Sequence, residues 1–465
     1  MLRRMHLSRR PVLVALAVLL TLAGGTTACS GQVAPTILLP PEATVDQAIP
    51  LRAEGLAPGS PVTVRAATAD AQGRPWTSVA ELVTDAGGRI DTATSSSSGG
   101  TYTGVDVAGP FWSMRPPPGV NAAPYPFLSG TDADVDVELL SRDAGAPARE
   151  LARTTVRRPV AEPAAGVTAT PFAEAGLVGD LYVPQDRPGP HPGVLLLGGS
   201  EGGRPDPAYA TLLASRGYVV LGLAYFGVDG LAPELSGIPV EYGLAAADRL
   251  AARPEVAGQP IGVHGTSKGA EYALLLATSA PRRFDAVVAI VPSDLVWPGL
   301  APGPPRSSWT RDGVDVPFAQ ATGPDASSAE PAPLAPGEAM RTSGFFEQTY
   351  AAMTPHERAT ARIPTERIEA PVLLVSGGDD GIWPSTPQAE RAAEPLRARG
   401  EDRVRVLDHP HGGHFVGGVP NLPATVSAFP AGPFRLEGGG QAAANARARV
   451  DTLDQVLAIF AQMRR

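Results

Sequence analysis

From residue 261 the sequence runs Ile261-Gly262-Val263-His264-Gly265-Thr266-Ser267-Lys268-Gly269-Ala270-Glu271-Tyr272-Ala273-Leu274-Leu275-Leu276-Ala277. Its first residues have the apolar composition of a buried strand, and its last residues are strong helix formers. The Gly-x-Ser-x-Gly pattern between them leaves room only for a tight, crowded turn. A strand, a sharp turn and an immediate helix lift a serine hydroxyl above the sheet, facing the helix amides. We therefore predict that Ser267 is a nucleophile; the alternative is a turn serine without chemistry.

The same pattern occurs a second time, as Gly198-Gly199-Ser200-Glu201-Gly202. It also follows an apolar run, but Arg204-Pro205-Asp206-Pro207 separates it from any helix. Ser200 therefore does not meet the geometric requirement of a nucleophile turn. A glycine-rich loop in this place commonly donates a backbone N–H to an oxyanion, so we predict that the amides of Ser200 and Lys268 form the oxyanion hole. The alternative is a flexible glycine turn.

Strand and helix patterns alternate from about residue 170 onward. One helix has Asp206 as its N-cap, Pro207 at its first position and Gly217 just past its end. This alternation predicts an α/β fold of the α/β-hydrolase type, with a doubly wound, mostly parallel sheet over residues 161–465. The strand candidates are 177–183, 191–199, 218–224, 261–263, 286–291 and 371–376, and the last helix places Val450, Leu453, Leu457 and Phe460 on one face.

The stretch 294–345 interrupts the alternation with many Pro, Gly and Ser residues. Long loops of this kind in a compact domain are lids, binding loops or disordered segments. The sequence leaves these three alternatives open.

An acid and a base are expected after the nucleophile, in that order along the chain. Asp379 and Asp380 follow the strand candidate 371–376; we choose Asp380, with Asp379 second, and the alternative is that both only cap the next helix. His414 ends the segment Leu407-Asp408-His409-Pro410-His411-Gly412-Gly413-His414 and fits a base on a loop after the last strand. Such a carboxylate would fix the imidazole tautomer and stabilise its cation.

The three histidines of that segment raise the alternative of a metal site. The intervening proline and glycines do not place them on one helical face, so we expect no metal and no cofactor. His264, beside the serine turn, is expected to pack within the sheet rather than to react.

Short stretches of alternating polarity, separated by turn residues, occupy positions 41–158. Period-two alternation predicts half-buried antiparallel strands, and we expect an all-β, immunoglobulin-like sandwich over residues 30–160. A linker rich in Pro and Ala is expected at 158–168.

The first 29 residues have the features of an export signal: arginines at positions 3, 4, 9 and 10, then an apolar run of about a dozen residues, which is too short to span a bilayer. Cys29 is the single cysteine, so no disulfide can form. Its small neighbours Thr26-Thr27-Ala28 resemble a lipobox that lacks the usual leucine. We expect a lipid anchor at Cys29 and location on the extracytoplasmic face of the cell membrane; the alternative is cleavage that leaves an unmodified thiol.

The formal net charge is −9 at pH 7, and no basic stripe follows the first ten residues. Electrostatic binding of nucleic acid is therefore not expected. The sequence gives no indication of oligomeric state.

Several segments resemble the acyl-CoA thioesterase / bile acid-CoA:amino acid N-acyltransferase family over nearly the whole chain after the export signal. They are Gly55-Leu56-Ala57-Pro58-Gly59, Trp76-Thr77-Ser78-Val79-Ala80, Gly104-Val105-Asp106, Phe111-Trp112-Ser113-Met114, Ser267-Lys268-Gly269-Ala270-Glu271, Ile363-Pro364-Thr365-Glu366-Arg367-Ile368 and the segments around Asp380 and His414. The resemblance implies that Ser267, Asp380 and His414 are the triad and that the substrate is a fatty acyl thioester. It favours hydrolysis over amino-acid conjugation, because the transferring members have cysteine where Ser267 stands.

If the protein is exported as predicted, free acyl-CoA is not its expected substrate, because acyl-CoA is not expected outside the membrane. Three other functions therefore stay open: an exported carboxylesterase or lipase-like enzyme that acts on lipid esters, an acyl-CoA:amino acid N-acyltransferase, and a non-enzymatic surface-binding lipoprotein with a vestigial triad.

Overall fold

A computed structural model describes residues 34–120, 122, 133–143, 145–160, 166–186, 188–320, 338–431 and 434–463. The predicted export signal and Cys29 lie outside the described residues.

Two antiparallel sheets form the N-terminal part of the described chain, and their strands alternate between buried and exposed residues as the sequence predicts. Both sheets contribute apolar side chains to one shared core, in which Trp76, Leu51 and Leu139 are fully buried. The prediction of an all-β sandwich is confirmed. The first sheet has the order β1-β2-β5 and the second β6-β4-β3-β7-β8. The strands are β1 Thr36–Leu38, β2 Arg52–Glu54, β3 Pro61–Ala69, β4 Pro75–Val83, β5 Ile90–Asp91, β6 Gly99–Gly100, β7 Ala133–Ser141 and β8 Glu150–Arg158, with the short helix α1 at Gly109–Trp112.

One eight-stranded sheet organises the C-terminal part. Its strands are β9 Val167–Glu174, β10 Leu177–Pro184, β11 Gly193–Leu197, β12 Val219–Ala224, β14 Ile261–Thr266, β15 Ala286–Ile290, β18 Val372–Gly377 and β19 Val404–His409. Their order is β19-β18-β15-β14-β11-β12-β10-β9. Six strands of this sheet run parallel to one another: β19, β18, β15, β14, β11 and β12. Strand β10 is antiparallel to both β12 and β9. This order and this direction of the strands confirm the predicted α/β-hydrolase fold.

Helices cover both faces of this sheet, as the double winding requires. Side chains of α3, α4 and α7 pack on one face, and those of α2 and α8 pack on the other. The longer helices are α2 Pro207–Ser215, α3 Val240–Ala251, α4 Lys268–Ser279, α5 Ser343–Ala352, α6 Pro355–Ala361, α7 Ser385–Arg397 and α8 Ala442–Gln462. The remaining strands are short: β13 Ile238–Pro239, β16 Trp309–Arg311, β17 Val314–Asp315, β20 Ala428–Ala431 and β21 Phe434–Glu437.

Helix α2 begins and ends as the sequence predicts. The Asp206 carboxylate accepts the N–H of Ala208, Pro207 is the first helical residue, and Gly217 has a φ of 88° just beyond the end.

One local prediction needs correction. The predicted linker 158–168 overlaps the sheet, because β9 begins at Val167. The last helix is present as α8, in which Leu453 and Phe460 are buried and Val450 and Leu457 are half-buried. The predicted domain limits at 29/30 and 160/161 stay predictions.

None of the helices in the described ranges combines the length and apolar composition that a bilayer crossing requires.

Candidate active site

Ser267 lies at a strained turn between the end of β14 and the start of α4. Its backbone angles are φ 57° and ψ −121°, a conformation that non-glycine residues rarely adopt. A Cβ on Gly265 would lie 1.9 Å from the Gly269 carbonyl oxygen, and one on Gly269 would lie 2.1 Å from the Gly198 carbonyl oxygen. Both glycines are thus required by close backbone contacts. The strand, turn and helix that the sequence predicts around Ser267 are present.

The structure brings the three predicted triad residues together. His414 Nε2 lies 3.0 Å from Ser267 Oγ. On the other side of the ring, Nδ1 lies 3.0 Å from Asp380 Oδ1 and 2.9 Å from Asp380 Oδ2. Ser267, Asp380 and His414 are 7%, 5% and 7% exposed, so the hydrogen bonds are shielded from bulk water. This geometry allows proton transfer from the hydroxyl to an imidazole whose tautomer the carboxylate fixes.

The two neighbouring aspartates have different partners. The Asp379 carboxylate is about half exposed, pairs with Arg341 at 2.7 Å and accepts the N–H of Gly440 at 3.0 Å. The Asp380 carboxylate accepts the backbone N–H groups of Ile382 at 2.9 Å and Trp383 at 3.3 Å in addition to its contacts with His414. These amides hold the Asp380 carboxylate in place beside the imidazole, which favours Asp380 over Asp379 as the partner of His414.

A residue that the sequence analysis missed fixes the loop of His414. Asn445, buried on α8, accepts the N–H of Gly413 at 2.8 Å through Oδ1. The backbone N–H of His414 donates to the Gly438 carbonyl at 2.7 Å. A Cβ on Gly413 would lie 2.2 Å from the Gly439 carbonyl oxygen. The loop is therefore packed between the end of β21 and α8, and this long-range contact has no local signal in the sequence.

The loop after β11 lies directly against the serine turn. A Cβ built on Gly199 would lie 3.3 Å from Ser267 Cβ. The Gly199 N–H donates to Glu201 Oε1 at 2.8 Å, and the Ser200 side chain is exposed. Lys268 is the first residue of α4. The contact of this loop with Ser267 agrees with an oxyanion hole here; the assignment of its donors to Ser200 and Lys268 stays a prediction.

The side chain of Lys268 forms a buried ion pair that the sequence analysis did not identify. Its Nζ lies 3.0 and 2.9 Å from the two carboxylate oxygens of Glu271. Burial lowers the pKa of Lys268 and raises the pKa of Glu271, and the mutual attraction opposes both shifts. Glu271 also accepts Trp309 Nε1–H at 2.6 Å and the Trp297 N–H at 3.2 Å. The spacing of three residues on a helix was the available signal.

Trp297 and Trp309 belong to the stretch 294–345, of which residues 321–337 lie outside the described ranges. The described part before this gap is packed beside the serine turn through the Glu271 carboxylate. For residues 294–320, which pack next to the site, disorder is therefore not the right description. A lid and a binding loop remain as alternatives.

Aromatic rings extend from the imidazole toward the surface. Ring centroids are separated by 6.1 Å between His414 and Trp383, 5.9 Å between Trp383 and Phe346, and 5.5 Å between Phe346 and Phe345. Phe345 is 47% exposed. The ring centroid of Phe415 lies 5.8 Å from that of His414. The base is thus bordered by the buried ring of Trp383, and the row of packed rings reaches solvent at Phe345.

The other histidines have separate environments. His264 is buried on β14, where its Nε2 lies 3.3 Å from the Tyr209 hydroxyl, and burial lowers its pKa to about 4. His409 Nε2 lies 3.4 Å from Thr452 Oγ1. In the part of the chain that the structure describes, no group of three His, Cys, Asp or Glu side chains is arranged to hold a metal ion.

The parallel sheet, the serine turn and the contacts of His414 define a protein of the α/β-hydrolase fold. Two family models match the chain: "BAAT / Acyl-CoA thioester hydrolase C terminal" over residues 238–464 and "Acyl-CoA thioester hydrolase/BAAT N-terminal region" over residues 46–172. The chain belongs to the acyl-CoA thioester hydrolase/BAAT family, and the resemblance inferred from the sequence is confirmed.

Several acyl-coenzyme A thioesterases are similar to this chain over most of their length. Acyl-coenzyme A thioesterase 1 of Rattus norvegicus is 30% identical, with 80% of this chain and 82% of the relative covered. Mitochondrial acyl-coenzyme A thioesterase 2 of Mus musculus is 29% identical, with 89% and 86% covered. Acyl-coenzyme A thioesterase 1 of Homo sapiens is 29% identical, with 92% and 96% covered. These relatives are thioester hydrolases by name, which supports an enzymatic function for this chain.

Proposed function

We propose that this protein is a serine hydrolase that cleaves fatty acyl thioesters through an acyl-enzyme on Ser267. The observation that carries the proposal is the geometry of His414, whose Nε2 lies 3.0 Å from Ser267 Oγ while Nδ1 contacts the Asp380 carboxylate. The names of the relatives supply the substrate class.

In the first half of the reaction, Ser267 Oγ attacks the thioester carbonyl carbon while His414 Nε2 takes its proton. Asp380 stabilises the imidazolium that forms. The amides of Ser200 and Lys268 stabilise the charge on the carbonyl oxygen. The carbon–sulfur bond then breaks, and the leaving sulfur takes the proton from His414, so that a thiol departs and the imidazole is a base again.

In the second half, water attacks the acyl-enzyme and gives a proton to His414, which returns it to Ser267 Oγ as the acid leaves. The overall reaction consumes one water and yields one free acid and one thiol. It needs no cofactor and no metal.

The aromatic row that begins beside His414 and ends at the exposed Phe345 supports a fatty acyl group on the substrate. Trp383, Phe346 and Phe345 form a continuous row of rings from the imidazole to solvent. Burying an alkyl chain against such a row is favourable by about 0.8 kcal/mol per methylene. We therefore propose that kcat/KM rises with chain length until the row is covered.

The leader-like residues 1–29 favour a second candidate, an exported and lipid-anchored enzyme that acts on lipid esters. The same triad can attack either class, since fold and nucleophile do not fix the leaving group. Conjugation to an amino acid is less favoured, because the nucleophile here is serine.

The two candidates are separated by kcat/KM of the purified protein for palmitoyl-CoA and for p-nitrophenyl palmitate, with Ser267→Ala as the blank. A preference of at least about tenfold for the thioester supports the first candidate, and the reverse preference supports the second. Failure of a fluorophosphonate to label Ser267, together with no turnover of either substrate, would leave the surface-binding lipoprotein with a vestigial triad.

The lipid anchor is tested by expressing the full chain in a bacterium fed an alkynyl fatty acid. We expect label and membrane association for the native chain and neither for Cys29→Ser. Equal fractionation of the two chains, without label, would leave the cysteine unmodified.

A further inference from the structure

Tyr225 follows the end of β12 and reaches the loop between β11 and α2. Its hydroxyl lies 2.7 Å from the Gly198 carbonyl oxygen and 3.0 Å from the Gly199 carbonyl oxygen. Burial raises the pKa of Tyr225 well above its ordinary value, so the hydroxyl stays protonated and shares its proton between the two carbonyls.

Those carbonyls belong to two successive peptide groups, whose N–H groups are those of Gly199 and Ser200. In a planar trans peptide the N–H points opposite to the C=O. Because both carbonyls face Tyr225, both N–H groups face away from it. The Gly199 N–H follows this rule and donates to Glu201 Oε1 at 2.8 Å. The Ser200 N–H is thereby held on the side of the loop opposite Tyr225.

The loop is also held from the side of the serine turn. Gly269, on the first turn of α4, approaches the Gly198 carbonyl so closely that a Cβ there would lie 2.1 Å from the oxygen. The ring of Tyr225 is itself packed against Tyr272 and Phe226 at 5.2 Å each and against Trp309 at 5.9 Å. The hydroxyl therefore sits on a rigid support and can fix the peptide planes of the loop.

We propose that Tyr225 is a positioning residue that orients the Ser200 N–H for the oxyanion through its hydrogen bonds to the Gly198 and Gly199 carbonyls. This inference rests on the proposed serine mechanism and adds to it a residue that acts through the loop carbonyls. Since the oxyanion is common to thioester and ester cleavage, the effect is expected for both substrate classes.

The test is Tyr225→Phe, which removes only the hydroxyl. We expect kcat to fall about 10- to 100-fold with KM changed by less than about threefold. The reason is that the Ser200 N–H is still present in the variant but is no longer held in the orientation that the oxyanion requires. Affinity for a trifluoromethyl ketone that forms an oxyanion on Ser267 should fall by a similar factor. Affinity for a thioether analogue that forms no oxyanion should stay within about twofold.

Tyr272→Phe is the matched control, since Tyr272 is also buried and its hydroxyl donates to a backbone carbonyl, that of Pro239 at 2.7 Å, away from the loop. It should retain kcat within about threefold. 4-Aminophenylalanine at position 225 keeps a donor and should restore most of the lost activity.

Three outcomes would overturn the proposal. They are a kcat within about twofold of the native value in Tyr225→Phe, an equal loss of affinity for the ketone and the thioether, and loss of the folded state, which would assign the hydroxyl to stability alone. Failure of the serine mechanism itself would be recognised separately, by activity that persists in Ser267→Ala.

Discussion

The segments 198–202 and 265–269 have the same Gly-x-Ser-x-Gly pattern and follow neighbouring parallel strands, yet they differ in structure. Ser267 is 7% exposed, has a positive φ and contacts His414, because α4 begins at the next residue. Ser200 is exposed and lies on a loop that continues to Asp206 before a helix starts. The difference teaches that the position of the following helix, and not the pattern itself, determines which hydroxyl lies within hydrogen-bond distance of His414.

The clearest test of this difference replaces each serine by alanine. Ser267→Ala should lower kcat by at least about 10³, because the nucleophile is removed, without loss of the folded state. Ser200→Ala should stay within about threefold of the native kcat, because only its backbone amide is assigned a role. The measurements are kcat for a thioester and an ester, thermal unfolding, and fluorophosphonate labelling. More than half of the activity remaining in Ser267→Ala would refute the assignment.

The adjacent aspartates extend the comparison to the partner of His414. Asp380→Asn should reduce kcat by about 10² to 10⁴, since the amide would favour the wrong tautomer of the imidazole. Asp379→Asn weakens the exposed pair with Arg341 and the hydrogen bond from the Gly440 N–H, neither of which involves His414, and kcat should change by less than about threefold. The readout is kcat against pH for both variants. Equal losses in the two would mean that the carboxylate beside His414 is misassigned.

The contact between the two segments can be broken directly at Gly269. In Gly269→Ala the new Cβ would meet the Gly198 oxygen at 2.1 Å and the Leu197 oxygen at 2.7 Å, so destabilisation of about 3 kcal/mol or more is expected. Gly203→Ala is the control: its φ is +76°, but a Cβ would have no neighbour within 4 Å, and the expected cost is about 1 to 2 kcal/mol. Urea unfolding measures both, and a smaller loss in Gly269→Ala than in the control would contradict the packing described.

A smaller effect, on the pH dependence of the free energy of unfolding, is expected from His264, which lies on β14 shortly before the serine turn. Its pKa falls from 6.5 to about 4 on folding, because burial disfavours the charged ring. The unfolded chain therefore binds the extra proton between pH 6.5 and 4, and up to about 3 kcal/mol of stability is lost as the pH falls through this range. His264→Leu should flatten that part of the curve, measured by urea unfolding at pH 4.5, 5.5 and 6.5. An unchanged slope would show that other groups cause the acid sensitivity.

The sequence predicted those parts of the fold and site that depend on short-range patterns. The serine turn, the helix cap at Asp206 and the choice of Asp380 and His414 follow from residues within a few positions of each other. The buried pair Lys268–Glu271 escaped prediction, because its burial depends on Trp309, 38 residues away in the chain.

The apolar pattern of α8 did not predict the buried polar residues of this helix, for a similar reason. The helix buries Asn445 and Arg449, although both are polar, since they bond to the loops around His414: Arg449 Nε donates to the Phe415 carbonyl at 3.2 Å. Hydrophobic periodicity cannot anticipate a polar residue that is buried to satisfy a distant backbone group.

The hydrogen bond from Gly413 to Asn445 has a consequence for folding during synthesis of the chain. Ser267 and Asp380 are synthesised well before the residue that holds the loop of His414, so a nascent chain cannot complete its catalytic geometry until position 445 has left the ribosome and α8 has docked. A translation product that stops before position 445 would lack this hydrogen bond, and we expect its His414 loop to be held less firmly.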